Sequence, residues 1–311
     1  MRAARIHVFG EELRIDNVPE PDPSDGEVLF EVRFASVNPL DVWLTEGTVA
    51  GGEQPLPFVP GAEAAGTVEG RTVMARGFGL GVRRDGFYRE RAAVPAEAPI
   101  PIPDGVDPRQ AAALGVAGAT AWRLVGDVAR VGAGDRVLVL GASGGVGSLV
   151  VQLAKDAGAT VVGQTSSPEK VAFIEALGAD RVVVASAEEL EAAAAALEPT
   201  VAIDPLGDGY TTAAIGALQP YGRLVLYGTS AAPQVEMDLR MLYRKSVQLL
   251  TYSGTIEPEE RIREAMGGAL DALAEGRMQV PIDEVLPLEE AAEGHRRIRE
   301  RRVRGKLLLA P

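Results

Sequence analysis

The stretch Arg136 to Val150, RVLVLGASGGVGSLV, constrains the fold more than any other part of the chain. An apolar strand runs into a glycine-rich turn, and the turn opens a helix. In a dinucleotide-binding unit the glycines keep this turn tight and let the backbone approach a pyrophosphate, whose charge meets N–H groups at the helix start. Ala142 stands at the first glycine of the G-x-G-x-x-G pattern, with Gly144 and Gly147 at the second and third. Ser143, Gly144, Gly145, Val146 and Gly147 are therefore candidate cofactor contacts. Val137 to Ala154 carries no charge and is long enough to imitate a membrane span. The glycines and Ser143 in its middle divide it instead into strand, turn and helix.

The same rhythm extends on both sides. From Arg109 onward apolar runs (RVLVLG, TVVGQT, RVVVA, VAIDPL, RLVLYG, VQLLTY) alternate with helical stretches, which predicts βαβ units around a parallel sheet. Before it, from Ala4 to about Asp107, short β-rich runs (RIHVF, LRIDNV, EVLFEVRFASV, GTVEGRTVMA) are broken by Pro, Gly and Asp, as in a small antiparallel barrel. APIPIPDGVDP reads as its exit linker. After Gly254 a helix and the closing strand GKLLLA remain, and these are expected to return to the first domain. The expected organisation is residues 1–108 for the barrel, 109–253 for the nucleotide-binding fold and 254–311 for the returning segment. No internal repeat is evident, and EAAAAALE reads as a peripheral helix.

Composition then removes whole classes of function. The 311 residues suffice for two domains with their own cores, since single domains run to roughly 100–200 residues. A net charge of −13 makes nucleic acid and anionic membrane surfaces poor partners, so a small-molecule substrate is expected. The chain has no cysteine, which removes disulfides, thiolate ligands and thiol catalysis together. MRAARIHVFG has no uninterrupted apolar segment, so a cytoplasmic location is expected.

The second strand of the nucleotide fold bears on which dinucleotide binds. An NAD-binding fold usually has an Asp or Glu about twenty residues past the glycines, accepting from the ribose 2′-OH. Here VVGQTSSPEK puts Gln164 or Thr165 at that place, followed by Ser166, Ser167 and Lys170. A 2′-phosphate would meet hydroxyls and an ammonium, so NADPH is expected over NADH. Alternatively, Ser166 or Ser167 caps the next helix, with Pro168 in its first turn and Lys170 in solvent. Both can hold at once.

These motifs, in this order, resemble the medium-chain dehydrogenase/reductase superfamily, and within it the zinc-free quinone oxidoreductases related to zeta-crystallin. The resemblance spans the chain: SVNPLDVWLTEG, LPFVPGAEAAGTVEG, AGATAWRLV, LGASGGVGSLVVQLAK, SSPEKVAFIEALGAD, AIDPLG, GRLVLYG and GKLLL. It implies an α/β fold, a doubly wound Rossmann sheet plus a GroES-like β-barrel catalytic domain, with the nicotinamide in the cleft between domains. In the zinc alcohol dehydrogenases of the superfamily the segment of VPGAEAAG carries Gly-His-Glu, and its histidine is a zinc ligand. Ala62 replaces it here, and Asn38 and Val116 align with the two cysteine ligands. A methyl, an amide and an isopropyl group cannot supply the N/S set of catalytic zinc. His7 and His295 fall outside any ligand spacing and read as surface or packing residues.

The resemblance thus implies a metal-free oxidoreductase that passes a hydride from NADPH to an electron-poor acceptor, a quinone. It assigns Asn38 as an amide donor to the acceptor oxygen, Asp41 as a brace of that loop, and Thr120 as a contact of the nicotinamide end. Gly228 and Thr229 lie along the cofactor's path over the sheet edge. For Asn38 an Asx turn ahead of Pro39 is the structural alternative, for Thr120 a bond to its own preceding turn, and for Asp204 a loop-stabilising role. Trp43 stands where many relatives carry tyrosine. It cannot give up a proton near neutral pH, which disfavours enoyl-thioester reduction, and it reads either as a stacking surface for a flat acceptor or as a core aromatic. Two other functions stay open: reduction of α,β-unsaturated carbonyls, and a non-catalytic NADPH-binding sensor or structural protein. RRIRERRVR reads as a solvated helical face carrying ion pairs, and the strand at 247–252 as the sheet edge that joins a homodimer.

Overall fold

A computed structural model describes residues 1–49 and 55–311, and every count below is of those residues. The chain divides into two compact units, one of Met1–Ala119, Pro258–Glu275 and Gln279–Pro311, the other of Thr120–Glu257 and Gly276–Met278. The first switch falls later than the expected start at 109. The turn Leu114–Gly118 packs within the first unit, where Val116 N–H donates to Glu63 and the Gly115 carbonyl accepts from Arg76.

In the first unit β1 (Arg2–Arg5) pairs antiparallel with β2 (Arg14–Asn17). β3 (Glu27–Val37) leads directly into helix α1 (Pro39–Thr45). β4 (Glu63–Val68) and β5 (Arg71–Arg76) form a hairpin turned by Glu69 and Gly70, both at positive φ. β6 (Arg91–Pro95) and β7 (Pro99–Pro101) complete this part. The core holds Phe30, Phe87, Tyr88, Ile6 and Leu44, with the Phe30 and Phe87 rings 5.2 Å apart and tilted. Each such ring contributes about 1.5–3 kcal/mol by leaving water.

The second unit follows with β8 (Arg136–Val139), helix α2 (Gly145–Asp156), β9 (Thr160–Thr165), β10 (Arg181–Val184), β11 (Val201–Asp204), β12 (Arg223–Leu226) and β13 (Gln248–Thr251). All six strands are parallel, in the order β10-β9-β8-β11-β12-β13. β8 and β11 are buried between helices on both faces, which is why VLV and VAI read as unbroken apolar runs. The order reverses direction between β8 and β11, the switch point where a doubly wound sheet opens a crevice beyond its strand ends.

The returning segment supplies β14 (Ile282–Pro287) and β15 (Lys306–Ala310) to the first unit, giving the order β14-β15-β3-β4-β5-β7 with β6 also on β3. β3 pairs with β6 through Glu27–Glu31 and with β15 through Ala35–Val37, so the sheet curls as a barrel-like domain requires. The arginine-rich segment has its expected pairs: Arg296 and Arg297 on Glu293, Arg299 on Glu46 and Arg302 on Glu300. Among the described residues no helix is long and apolar enough to cross a membrane.

Candidate functional site

In the second unit the candidate cofactor residues gather at the carboxyl edge of the parallel sheet. Ser143 and Gly144 lead from β8 into the first turn of α2 at Gly145 to Gly147, Thr165 ends β9 with Ser166 to Lys170 after it, and Gly228 and Thr229 follow β12. Gly144 flanks the start of α2 and brings no side-chain cap, so the helix's first N–H groups face outward for an anion. A Cβ on Gly147 would lie 2.4 Å from the Gly141 carbonyl oxygen, so only glycine lets the helix start this close to the strand. A Cβ on Gly144 would meet only that oxygen, at 3.3 Å, leaving its outer side open. The loop therefore has room and donors for a pyrophosphate.

Gln164 and Thr165 at the end of β9 are buried, and their polar atoms are committed internally. Gln164 accepts from Gly141 N–H at 3.0 Å and donates to the Ala185 carbonyl at 2.8 Å. Thr165 Oγ1 accepts from Ser167 N–H at 3.1 Å. This corrects the capping reading: Ser167 precedes the turn Pro168–Lys170 but makes no side-chain cap, and its own N–H is the one that the β9 threonine satisfies. Ser166 is exposed and Lys170 half-buried. Asp204 accepts from Leu206 N–H, Gly207 N–H and Thr211 Oγ1 at 2.7, 3.3 and 2.6 Å, which makes it a brace of its loop; burial nevertheless holds its carboxyl above the usual range. Thr120 is buried in the short helix Ala119–Arg123.

In the first unit a polar cluster sits inside an apolar core. Asn38 is 2% exposed at the entry to α1. Its Nδ2 donates to Glu63 Oε1 at 2.9 Å, and its Oδ1 accepts from Lys306 Nζ at 2.5 Å. Lys306 also reaches Glu63 Oε1 at 3.2 Å, and Glu63 Oε2 accepts from Val116 N–H at 2.6 Å. The other Nδ2 hydrogen has only the Ser36 carbonyl at 3.4 Å, beyond the usual range of a good bond. Asp41 accepts from the backbone N–H of Asn38 at 2.8 Å, from that of Ala62 at 3.1 Å and from the Tyr88 hydroxyl at 3.2 Å. Burial, with the Glu63 charge adding, pushes the Asp41 carboxyl up to about 6 against those backbone bonds.

Glu63 and Lys306 were not singled out by sequence reasoning. A charge at the edge of an apolar strand, as in EAAGTV or KLLLA, ordinarily points to water. Register is what buries them: Leu307 faces Val37 and Ala64 faces Ala35, so the starts of β15 and β4 both meet the end of β3. Trp43 is 37% exposed on α1, which corrects its core-aromatic reading: the helix buries Val42 and Leu44 and turns position 43 outward. His7 pairs with Asp16 at 2.8 Å, and His295 is a buried packing residue set edge-on to Tyr88.

Residues 24–104 match the family described as the alcohol dehydrogenase GroES-like domain, and residues 145–274 that described as zinc-binding dehydrogenase. Rat (Rattus norvegicus) quinone oxidoreductase is 30% identical over 308 residues, covering 95% of this chain and 93% of that protein. The chain belongs to the quinone oxidoreductase branch of the medium-chain dehydrogenase/reductase superfamily. A solved superfamily member, the quinone oxidoreductase from Thermus thermophilus, described with its NADPH complex, superposes with a TM-score of 0.88 at 30% identity over all of both chains. Mouse (Mus musculus) prostaglandin reductase-3 is 34% identical over 218 residues, 68% of this chain and 57% of that protein.

The zinc named in one of these family descriptions does not fit this branch member's side chains. Of the ligand positions suggested by the resemblance, Asn38 is engaged by Glu63 and Lys306, Ala62 offers a methyl group and Val116 an isopropyl. The Lys306 ammonium is itself a cation in this cluster and would repel a metal ion. Among the described residues no three His, Asp or Glu side chains converge as a ligand set.

Proposed function

We propose that the chain is a metal-independent NADPH-dependent oxidoreductase whose acceptor is a quinone. The observation that carries this is the cluster around Asn38: one N–H of its amide is held by Glu63, the other has only a long internal contact, and among the described residues no three metal-ligating side chains converge there. An acceptor bound by an amide donor without a Lewis acid must already be electron-poor, as a quinone is.

NADPH supplies a hydride when bound. The chain's own residues would do the rest: the Ser143–Gly147 loop and the start of α2 would hold the pyrophosphate, while Ser166 and Lys170 would meet the 2′-phosphate. Gly228 and Thr229 border the path of the dinucleotide, and Thr120 contacts its nicotinamide end. Asn38 donates to the quinone oxygen as charge develops there. Once bound NADPH had supplied its hydride to the quinone, a proton from water would complete the hydroquinone. Exposed Trp43 offers a face on which a flat acceptor can stack. A chelator-treated preparation should oxidise NADPH with a quinone, prefer it over NADH, and lose about tenfold of that preference on Lys170→Ala, an effect of roughly 1.4 kcal/mol.

The likeness to prostaglandin reductase-3 favours a second acceptor class, α,β-unsaturated carbonyls. Offering an enone in parallel separates the two. Tight NADPH binding with no turnover of either acceptor would replace both with the sensor or structural reading.

A further inference from the structure

Glu63 and Lys306 form a buried ion pair, 1% and 4% exposed at the side chain, and both touch the same amide. An asparagine amide is nearly symmetric in shape, so packing alone does not decide which end points where. Charge does. Oδ1 faces the ammonium and Nδ2 the carboxylate; a flip would set Oδ1 against the carboxylate and Nδ2 against the ammonium, two repulsive contacts in a site with little water to screen them. The Val116 N–H on Glu63 Oε2 and the antiparallel register of β15 on β3 hold the two charges in place, so the clamp is built from three neighbouring strands and a turn.

We propose that Glu63 and Lys306 are positioning residues that lock the Asn38 amide so that its one weakly held N–H is available to the acceptor oxygen. The ammonium on Oδ1 also draws electron density from the amide and strengthens that N–H as a donor. The pair is neutral overall, so the lock adds no net charge that would repel an anionic hydroquinone product. The proposal rests on the role given to Asn38 above.

Removing one partner leaves an uncompensated buried charge and endangers the fold, whereas removing both is tolerated far better. The informative variant is therefore Glu63→Gln/Lys306→Met, in which Val116 N–H holds the introduced Oε1 and turns the introduced Nε2 toward Asn38, so the site no longer favours the native orientation of the Asn38 amide. Its melting temperature and KM for NADPH should stay near wild type while kcat with the quinone falls on the order of a hundredfold. Adding Asn38→Ala should then lower kcat little further. An unchanged kcat in the double variant, or a full Asn38→Ala loss on top of it, overturns the proposal.

A readout independent of turnover separates this from a failure of the quinone reading. The side-chain amide signals of Asn38, assigned by their loss in Asn38→Ala, should exchange slowly with solvent in the wild type and quickly in Glu63→Gln/Lys306→Met. Equal exchange in the two overturns the lock. A wild type without quinone or enone turnover that still shows the exchange difference keeps the lock and removes the assigned reaction.

Discussion

His295 and Asp41, on either side of Tyr88, respond to pH in opposite directions. Burial, with the Arg299 charge adding, lowers His295 from 6.5 to about 3. Between those values the unfolded chain takes up a proton that the folded chain refuses, so stability falls as pH falls, by up to about 5 kcal/mol. Asp41 is raised from 3.8 to about 6, so across that window the folded chain holds a proton that the unfolded chain releases. Its contribution rises as pH falls, by up to about 3 kcal/mol, and partly offsets the histidine. Thermal melts from about pH 7 down to about pH 4 should show a shallow loss in the wild type, a steeper one in Asp41→Asn and a flattened or reversed one in His295→Gln. Identical slopes in all three would remove these groups as the source. His295 was legible only as a residue outside any ligand spacing; that its Nε2 is buried without a hydrogen-bond partner depends on the packing of α1 and Tyr88 around it.

At the scale of the element, the turn from β8 into α2 was legible in the sequence because Gly141, at positive φ, and Gly147, packed under a carbonyl oxygen, answer local geometric demands, while Gly144 leaves space. The demands differ, and this can be tested. Gly147→Ala places a Cβ 2.4 Å from a carbonyl oxygen and should destabilise the protein by about 1–3 kcal/mol. Gly144→Ala meets only a 3.3 Å contact at an ordinary φ of −81°, so its melting temperature should hold while KM for NADPH rises about tenfold through the space it takes from the pyrophosphate. Equal effects of the two on stability would refute this division of labour. The end of β9 was less legible. Gln164 looked like the residue facing the ribose, yet its amide ties the segment after β8 to the segment after β10, a bond between residues more than twenty positions apart on either side.

For the molecule as a whole, β13 is one of the two edges of the parallel sheet, with Gln248 in solvent and Leu249 47% exposed. An unpaired edge with an apolar side chain favours pairing with its own copy across a twofold axis. We expect a homodimer, with Leu249→Lys shifting it to monomer in light scattering at micromolar concentration; a monomeric wild type would refute the expectation. The sequence by itself determined the sequence of elements, the parallel sheet and the glycine-rich turn into α2, because periodicity and glycine geometry act within a few residues of one another. It also limited the metal chemistry, since a side chain that is absent cannot act. Tertiary structure alone decided that Glu63 and Lys306 meet Asn38. That meeting depends on the register of three strands whose residues lie as far as 268 positions apart, and on burial that makes charge, rather than shape, choose the orientation of one amide.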